Sequence, residues 1–551
     1  MADYLDQLFD SDSDESEFSG FSEFDSDIEV GDLSDDDIIP DAEAADDNWT
    51  DDFSPLRFDE FNEQPGARLP DGFDVDTATP MDYFWLLFSP QLLRSIVAHT
   101  NGYFAWKMAQ PDIPTDLRWQ DTTEEEMRAF LAINILMGIN QLPNAEMFWS
   151  SNPFINNAGI TNTMTCNRFQ KLVQYFHVAD RSTEPGRGEP GYDKLFKVRP
   201  VMESVSRTFQ DIYTLNKEVS IDEAMIAFTG RLSFRQCMPA KPIKRGIKVW
   251  MLCDARTAFL ARFEVNLGRQ KNQTEHGLGH NVVMRLVDHI YHSFRWLFFD
   301  NFFTGIPLMK ELLEKGLYAC GTVRVNRKGF PSQLKKPAEV RQRGDFKIMQ
   351  LGDTNLTATV WKDKRLVHHL STLSDPTVTL PVQRRCGANV MQLQSPHSVN
   401  VYNMYMGGVD LHDQYRAKYD VGRCSKKYWR YLFWFLLNCC IVNAFILYKL
   451  TSRRRIGRKR FIPLDFRLEL VRELVGGYCK RKRAAPEGRG RDGLVEQINM
   501  GGHVMSRLSD KTKTCKYHTR YLKQRKETKL GCATCGVHLC QDGCFARYHN
   551  L

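Results

Sequence analysis

The sequence predicts a mixed α/β protein in several pieces: a helical segment, an α/β core carrying a β-rich insertion, and a small C-terminal module built on cysteine and histidine. Three observations predict this. Between about residues 81 and 215, apolar residues recur at three- and four-residue spacing, the period of amphipathic helices. At about 216 the pattern changes to short apolar runs alternating with helical ones, as in a mixed sheet with covering helices. Residues 515 to 551 then hold five cysteines and three histidines.

At 551 residues the chain is too long for one compact core, and three or four folded pieces are expected. Its 42% hydrophobic and 26% charged residues exclude a wholly disordered, collagen-like or small disulfide-stapled protein. The net charge of +5 hides a division. Residues 1 to 55 contain 21 Asp and Glu and no Lys or Arg, leaving 47 of the 68 acidic residues against all 73 basic ones, a balance of +26 on the rest of the chain.

The segments follow in order. Residues 1–75 combine negative charge with Ser, Gly and isolated aromatics such as Phe18, Phe21 and Phe24, so an acidic disordered tail is expected. Two roles stay open for it, screening of the basic surface or solubilisation. It starts MADYLDQLFDSDSDESEF, without the basic and apolar regions of a secretory or organellar leader. Residues 76–215 form the helical domain; TTEEEMRAFLAINILMGI places threonines and three glutamates at a helix start. Residues 216–325 contain EVSIDEAMIAF, GIKVWMLC and AFLARFEVNL as strands, then HNVVMRLVDHIYHSF as helix, WLFFD as a buried strand, a helix ending at Gly316 and the strand LYACGTVRV. Residues 326–399 form a β-rich insertion, and 400–450 the second part of the core. The apolar run 432–448 approaches a membrane span in length, but Asn438 and Asn443 interrupt it, and it reads as a buried core helix.

Asp222 lies inside the first strand. Asp300 ends a strand apolar on both faces, the edge where open α/β sheets place ligands. Asp410 and Asp413, three residues apart, share a helix face. Carboxylates gathered from separate elements can hold two divalent cations, hard ions that prefer oxygen, and such a pair can clamp both oxygens of a phosphodiester reaction. Asp254, in the turn CDART, reads as turn chemistry instead.

At these residues the sequence resembles a known family. SIDEAMIAFTGRLSFRQCMPAKPIKRGIKVWMLCD, FFDNFFTGIPLMKELLEKGLYACGTVRVNRKG and YNMYMGGVDLHDQYR are similar, in order, to the core motifs of piggyBac-type transposases and the domesticated proteins derived from them. The resemblance runs from about residue 80 to the C-terminus. It implies an RNase H-like catalytic core, with the family's aspartate triad falling on Asp222, Asp300 and Asp410 and an additional aspartate on Asp413. It also implies two Mg²⁺ (or Mn²⁺) at that site, cleavage of transposon ends through a hairpin intermediate, insertion at TTAA and a homodimer on double-stranded DNA. The rival is a domesticated nuclear DNA-binding protein that no longer transposes.

Around the motifs, Lys241, Lys244, Arg245 and Lys248 are candidates for phosphate contacts, as are Lys426, Lys427 and Arg430, interleaved with Tyr428, Trp429 and Tyr431, aromatics that are open to a core reading. RRRIGRKR, opening on Arg453, Arg454 and Arg455, and KRKR at 480–483 fit nuclear import signals or a phosphate-binding surface, so residues 451–510 are expected to bind DNA and direct the protein to the nucleus, and the resemblance implies a share in dimerisation. No membrane or small-molecule partner is expected. In the C-terminal domain, residues 511–551, the candidate ligands for two Zn²⁺ are Cys515, His518, Cys532, Cys535, His538, Cys540, Cys544 and His549, with the pairing left open by the spacing and His538 as readily a surface residue of a turn. The other nine cysteines read as packing residues in a reduced compartment. The cysteine-rich stretch also resembles the family's domain for recognising transposon ends, although position 518 carries His where the family commonly has Cys.

Overall fold

The computed structural model describes residues 48–111, 113–239, 241–268, 277–386, 389–422, 425–453, 461–479, 499–500, 503–540 and 543–549. The chain divides into two compact units, Met1–Arg481 and Lys482–Leu551. The helical and α/β segments that the sequence separates therefore fold as one body, because a single apolar core runs from Tyr83 and Phe130 through Val219 and Leu297 to Phe433 and Leu470.

In the first unit, helices α1 (Pro80–Leu87), α2 (Pro90–Met108), α3 (Glu124–Ile139), α4 (Ala158–Thr163), α5 (Cys166–Tyr175) and α6 (Arg199–Ile212) precede every strand of the main sheet but the first. Their starts are those the composition implies. Thr123 caps α3 by accepting from the Glu126 amide, and Glu124, Glu125 and Glu126 occupy its first turn, where the helix dipole favours anions.

The sheet contains β1 (Trp49–Thr50), β2 (Glu218–Ala227), β3 (Gln236–Cys237), β4 (Arg245–Asp254), β5 (Leu260–Val265), β6 (Trp296–Phe299), β7 (Tyr318–Thr322), β8 (Phe346–Leu351), β9 (Thr357–Lys362) and β10 (Leu366–Ser371). Its order is β1-β8-β9-β10-β7-β6-β2-β4-β3, with β5 also paired to β4. Strands β2, β4 and β5 form an antiparallel meander. After the helix α7 (Leu278–Val287), strands β6 and β7 add in parallel beside β2, joined by the helix α8 (Ile306–Glu314), and a further helix, α9 (His397–Tyr405), follows the strands.

Two expectations change. The region read as an insertion supplies β8, β9 and β10, which lengthen the main sheet through the pairing of β10 with β7, while a separate hairpin, Thr379–Cys386 with Asn389–Pro396, forms its own two-stranded sheet. The expected disorder of residues 1–75 does not extend over 48–75. There β1 pairs with β8, the Arg57 amide donates to Asn355, and Glu63 accepts two bonds from Arg295 at 2.8 and 2.7 Å. These partners lie more than 200 residues away in sequence, so local composition does not reveal them. Residues 1–47 lie outside the described residues.

Helix α11 (Tyr428–Thr451) is long and apolar enough to cross a membrane, but it is enclosed by protein, with 94% of its apolar window buried. The two asparagines explain themselves there. Asn443 donates to the Leu260 carbonyl and accepts from the Leu260 amide, satisfying an edge of β5, and Asn438 donates to the carbonyls of Arg416 and Tyr419.

Candidate active site and metal centres

Strand register brings the first two aspartates together. Ile221 pairs with Phe299 in the parallel β2–β6 ladder, so the next residues, Asp222 and Asp300, stand side by side on strands about 5 Å apart. Helix α10 (Gly408–Ala417) packs on β2 and brings Asp410 and Asp413 within electrostatic reach of Lys241, which also acts on Asp222 and Asp300. Its approach depends on Gly408, which lies against Ser220, the residue that shares a face of β2 with Asp222.

Charge is concentrated at this point. Burial, with Glu223 and Asp300 as neighbours, pushes the Asp222 carboxyl up to about 8 against the pull of Lys241. Burial and Glu223 also raise Asp300, although its Oδ1 accepts from the Phe302 amide at 2.9 Å. Burial raises Asp413 too, opposed by Arg416, which donates to its Oδ1 at 3.3 and 3.2 Å. Buried carboxyls whose proton affinity is raised in this way are short of positive charge. An all-oxygen donor set in that state fits divalent cations.

Sequence reasoning missed Glu223. It is 8% exposed and stands between two lysines, with Lys241 Nζ at 3.1 Å and Lys248 Nζ at 3.5 Å. The available signal was its place in the buried run SIDEAMIAF, where a second consecutive carboxylate needs a partner. Tyr402 was also missed; burial and the nearby Asp300 and Asp222 charges raise its hydroxyl, while its hydrogen bond with Thr322 opposes the rise.

The basic candidates separate. Lys248 is 1% exposed, stacked over Trp250 and paired with Glu223, so it offers no surface to a phosphate. Arg430 is buried as well; it donates to the Val173 carbonyl at 2.6 Å at the end of α5. Trp429 is buried, the Tyr428 hydroxyl donates to the Lys194 carbonyl, and the Tyr431 hydroxyl accepts from the Ser425 amide, so these aromatics belong to the packing. Lys241 faces the carboxylates. Lys244, Arg245, Lys426 and Arg453 are exposed and Lys427 is half-buried, while Arg454, Arg455 and the KRKR cluster lie outside the described residues. Asp254 is a turn residue, accepting from the amides of Asn216, Arg256 and Thr257.

In the second unit, two groups of four converge, each with its ligand atoms within 4.8 Å of one another. The first is Cys515, His518, Cys540 and Cys544, with His518 Nδ1 at 3.4 Å from Cys515 Sγ and 3.2 Å from Cys544 Sγ. The second is His503, Cys532, Cys535 and His549. These spacings and N/S donors match tetrahedral zinc, and His549 Nε2 is buried without a hydrogen-bond partner among the described residues. His538 lies outside both groups. Its Nε2 lies 2.9 Å from Ser509 Oγ, and His503 takes the expected place because the strand His503–Arg507 pairs with Leu530–Cys532, setting Met505 opposite Cys532. Ligand arithmetic confined to residues 511–551 could not find it.

Known proteins resemble this chain over most of its length. The family model described as Transposase IS4 matches residues 79–445. The human PiggyBac transposable element-derived protein 3 is 26% identical over 499 residues, covering 87% of this chain and 78% of that protein. The human PiggyBac transposable element-derived protein 5 is 26% identical over 441 residues, covering 77% and 79%. Among solved structures, the cryo-EM structure of the piggyBac transposase synaptic complex with hairpin DNA superposes with a TM-score of 0.67 at 25% identity, covering 88% of this chain and 100% of that one.

Proposed function

The chain belongs to the Transposase IS4 family and is of the piggyBac type, and from that premise we propose that it is a nuclear cut-and-paste DNA transposase acting through Asp222, Asp300 and Asp410. The observation that carries this reading is the side-by-side placement of Asp222 and Asp300 by the β2–β6 register, with α10 closing over them. The strand sequence β5-β4-β2-β6-β7, antiparallel for its first members and parallel thereafter, supports an RNase H-like core.

Two Mg²⁺ or Mn²⁺ held by Asp222, Asp300 and Asp410 would supply Lewis-acid charge to both the attacking and the leaving oxygen of a phosphodiester. The protein's own contribution is positional. The middle of β2 holds Asp222 and the end of β6 holds Asp300, the Phe302 amide orients Asp300, and Arg416 steadies Asp413. The ends are cut through a hairpin, and the element is joined into TTAA. Segments 76–215 and 451–510 bind DNA and build a dimer, since synapsis needs two ends held at once. The second unit binds two Zn²⁺ and reads the transposon end; the exposed Lys244, Arg245 and Lys426 take phosphates.

A plasmid excision and integration assay with matched ends tests this. The native chain is expected to excise and rejoin at TTAA, and Asp300→Asn to lose about a hundredfold or more of that activity. Full excision by Asp300→Asn overturns the assigned role. The second reading, a domesticated DNA-binding protein, is favoured by one observation: the matched human relatives are themselves named as element-derived. Intact inverted repeats with flanking TTAA beside several near-identical gene copies favour the enzyme, and a single intron-bearing locus favours domestication.

A further inference from the structure

Two lysines hold Glu223, and they differ in one respect. Lys248 cannot leave: it is 1% exposed, lies 3.7 Å over the Trp250 ring and 4.8 Å from the Phe302 ring, and its Nζ is 3.5 Å from Glu223 Oε2. Lys241 can. It sits in the turn between β3 and β4, flanked by Pro242 and braced by its amide donating to the Met238 carbonyl, and its side chain is 32% exposed. Its ammonium is 3.1 Å from Glu223 Oε1 and 4.0 Å from Asp222 Oδ2.

We propose that Lys241 is an internal counter-ion of the carboxylate site, its ammonium standing beside Asp222 in place of the charge that a divalent cation brings, and that cation loading expels it toward solvent and the DNA phosphate. The inference rests on the reading of Asp222, Asp300 and Asp410 as cation ligands.

The electrostatics support the geometry. The charges of Asp222, Glu223 and Asp410 stabilise the Lys241 ammonium against its own burial, and Lys241 in turn steadies the carboxylates of Asp222, Asp300 and Asp413. One ammonium is thus shared among five carboxylates, with Lys248 and Arg416 as the remaining cations in contact. A divalent ion brings more charge to the same oxygens, and an ammonium beside it is repelled. A displaced ammonium needs a new anion, and a backbone phosphate supplies one. Cation binding and DNA binding therefore strengthen each other, as linkage requires when both favour the same side-chain position.

The test is Mn²⁺ binding to the full chain without DNA, read by the electron paramagnetic resonance of the free ion at alkaline pH, where protons do not stand in for the metal. Zinc is kept bound throughout. Lys241→Met is expected to bind Mn²⁺ about tenfold more tightly than the native chain, a value discounted for partial solvent screening. Lys241→Arg retains the charge and is expected to behave as native; Lys241→Gln is expected to follow Lys241→Met and guards against a folding defect in one variant. Duplex DNA is expected to tighten Mn²⁺ binding in the native chain and to lose that effect in Lys241→Met. Unchanged Mn²⁺ affinity in both neutral variants, with binding abolished in Asp300→Asn, overturns the counter-ion role and leaves the carboxylate reading standing. Native-like Mn²⁺ binding by Asp300→Asn overturns the carboxylate reading itself.

Discussion

Gly408 and Ser220 touch so closely that no side chain fits between them. A Cβ at 408 would lie 2.3 Å from Ser220 Oγ, with the Asp254 carbonyl oxygen and Ala255 Cα each at 3.0 Å. Only glycine lets α10 settle on β2, and Asp410 follows two residues later on the same helix.

Gly408→Ala is therefore expected to push the helix outward. A shift approaching 1 Å at Asp410 lowers excision about a hundredfold, and the overpacking lowers stability by about 1–3 kcal/mol. Adding Ser220→Ala removes the closest contact but not the two backbone ones, so the double variant is expected to recover part of both losses. Melting and excision measured around the double-mutant cycle check this.

The zinc assignment separates two histidines. His503→Ala is expected to lower the metal content from about two zinc ions per chain to about one and to loosen the second unit, since ligation contributes to its folding. His538→Ala is expected to retain both, because that ring contacts Ser509. Elemental analysis of the dialysed proteins distinguishes the two variants, and loss of metal in His538→Ala would reverse the assignment.

Buried histidines set an acid limit. His369 is 1% exposed, meets Tyr402 edge-on with the rings 5.1 Å apart, and leaves Nδ1 without a partner among the described residues. Burial, with the neighbouring His368 charge, holds it down at about 3. The folded value lies below the unfolded one, so its contribution is complete above about pH 6.5 and is lost as pH falls toward about 3, because only the unfolded chain accepts the proton. Chemical denaturation across that window is expected to show a slope smaller by about one proton in His369→Gln than in the native chain.

Arg430 and the Lys244–Arg245 pair are expected to behave oppositely. Arg430→Ala removes a buried charged bond to the Val173 carbonyl and is expected to cost about 2–3 kcal/mol of stability with the salt dependence of DNA binding unchanged. Lys244→Ala and Arg245→Ala, at exposed positions, are expected to leave stability intact and to reduce the slope of log K against log salt by up to about 0.9 each. Binding isotherms at several salt concentrations, with melting curves beside them, read both effects.

Much of the site was legible before folding because its chemistry is local. A carboxylate that stops an apolar strand marks a sheet edge, as at Asp300, and a threonine before three glutamates marks a helix start, as at Thr123. The asparagines of α11 were legible only as interruptions; their function, satisfying β5 and the turn after α10, depends on which backbone lies opposite. Glu223, Lys248 and Arg430 were illegible for the same reason. A charged residue reads as a surface group until its buried partner is known, and here those partners are Lys241, a Trp250 ring and a helix carbonyl.

Residue period, spacing and donor chemistry gave most element types, the order of the aspartates and a set of cysteine and histidine candidates for metal, and the quoted motifs carried the family resemblance. Folding set the partnerships: that 48–68 lies along the fold, that residues 346–371 lengthen the sheet, that His503 rather than His538 joins Cys532, Cys535 and His549, and that Lys241 turns inward to the carboxylates. The physical reason is range. Propensity and periodicity act over a few residues, whereas strand register and burial join groups separated by tens to hundreds of residues, and only that joining determines whether a charge faces water, a metal or another charge.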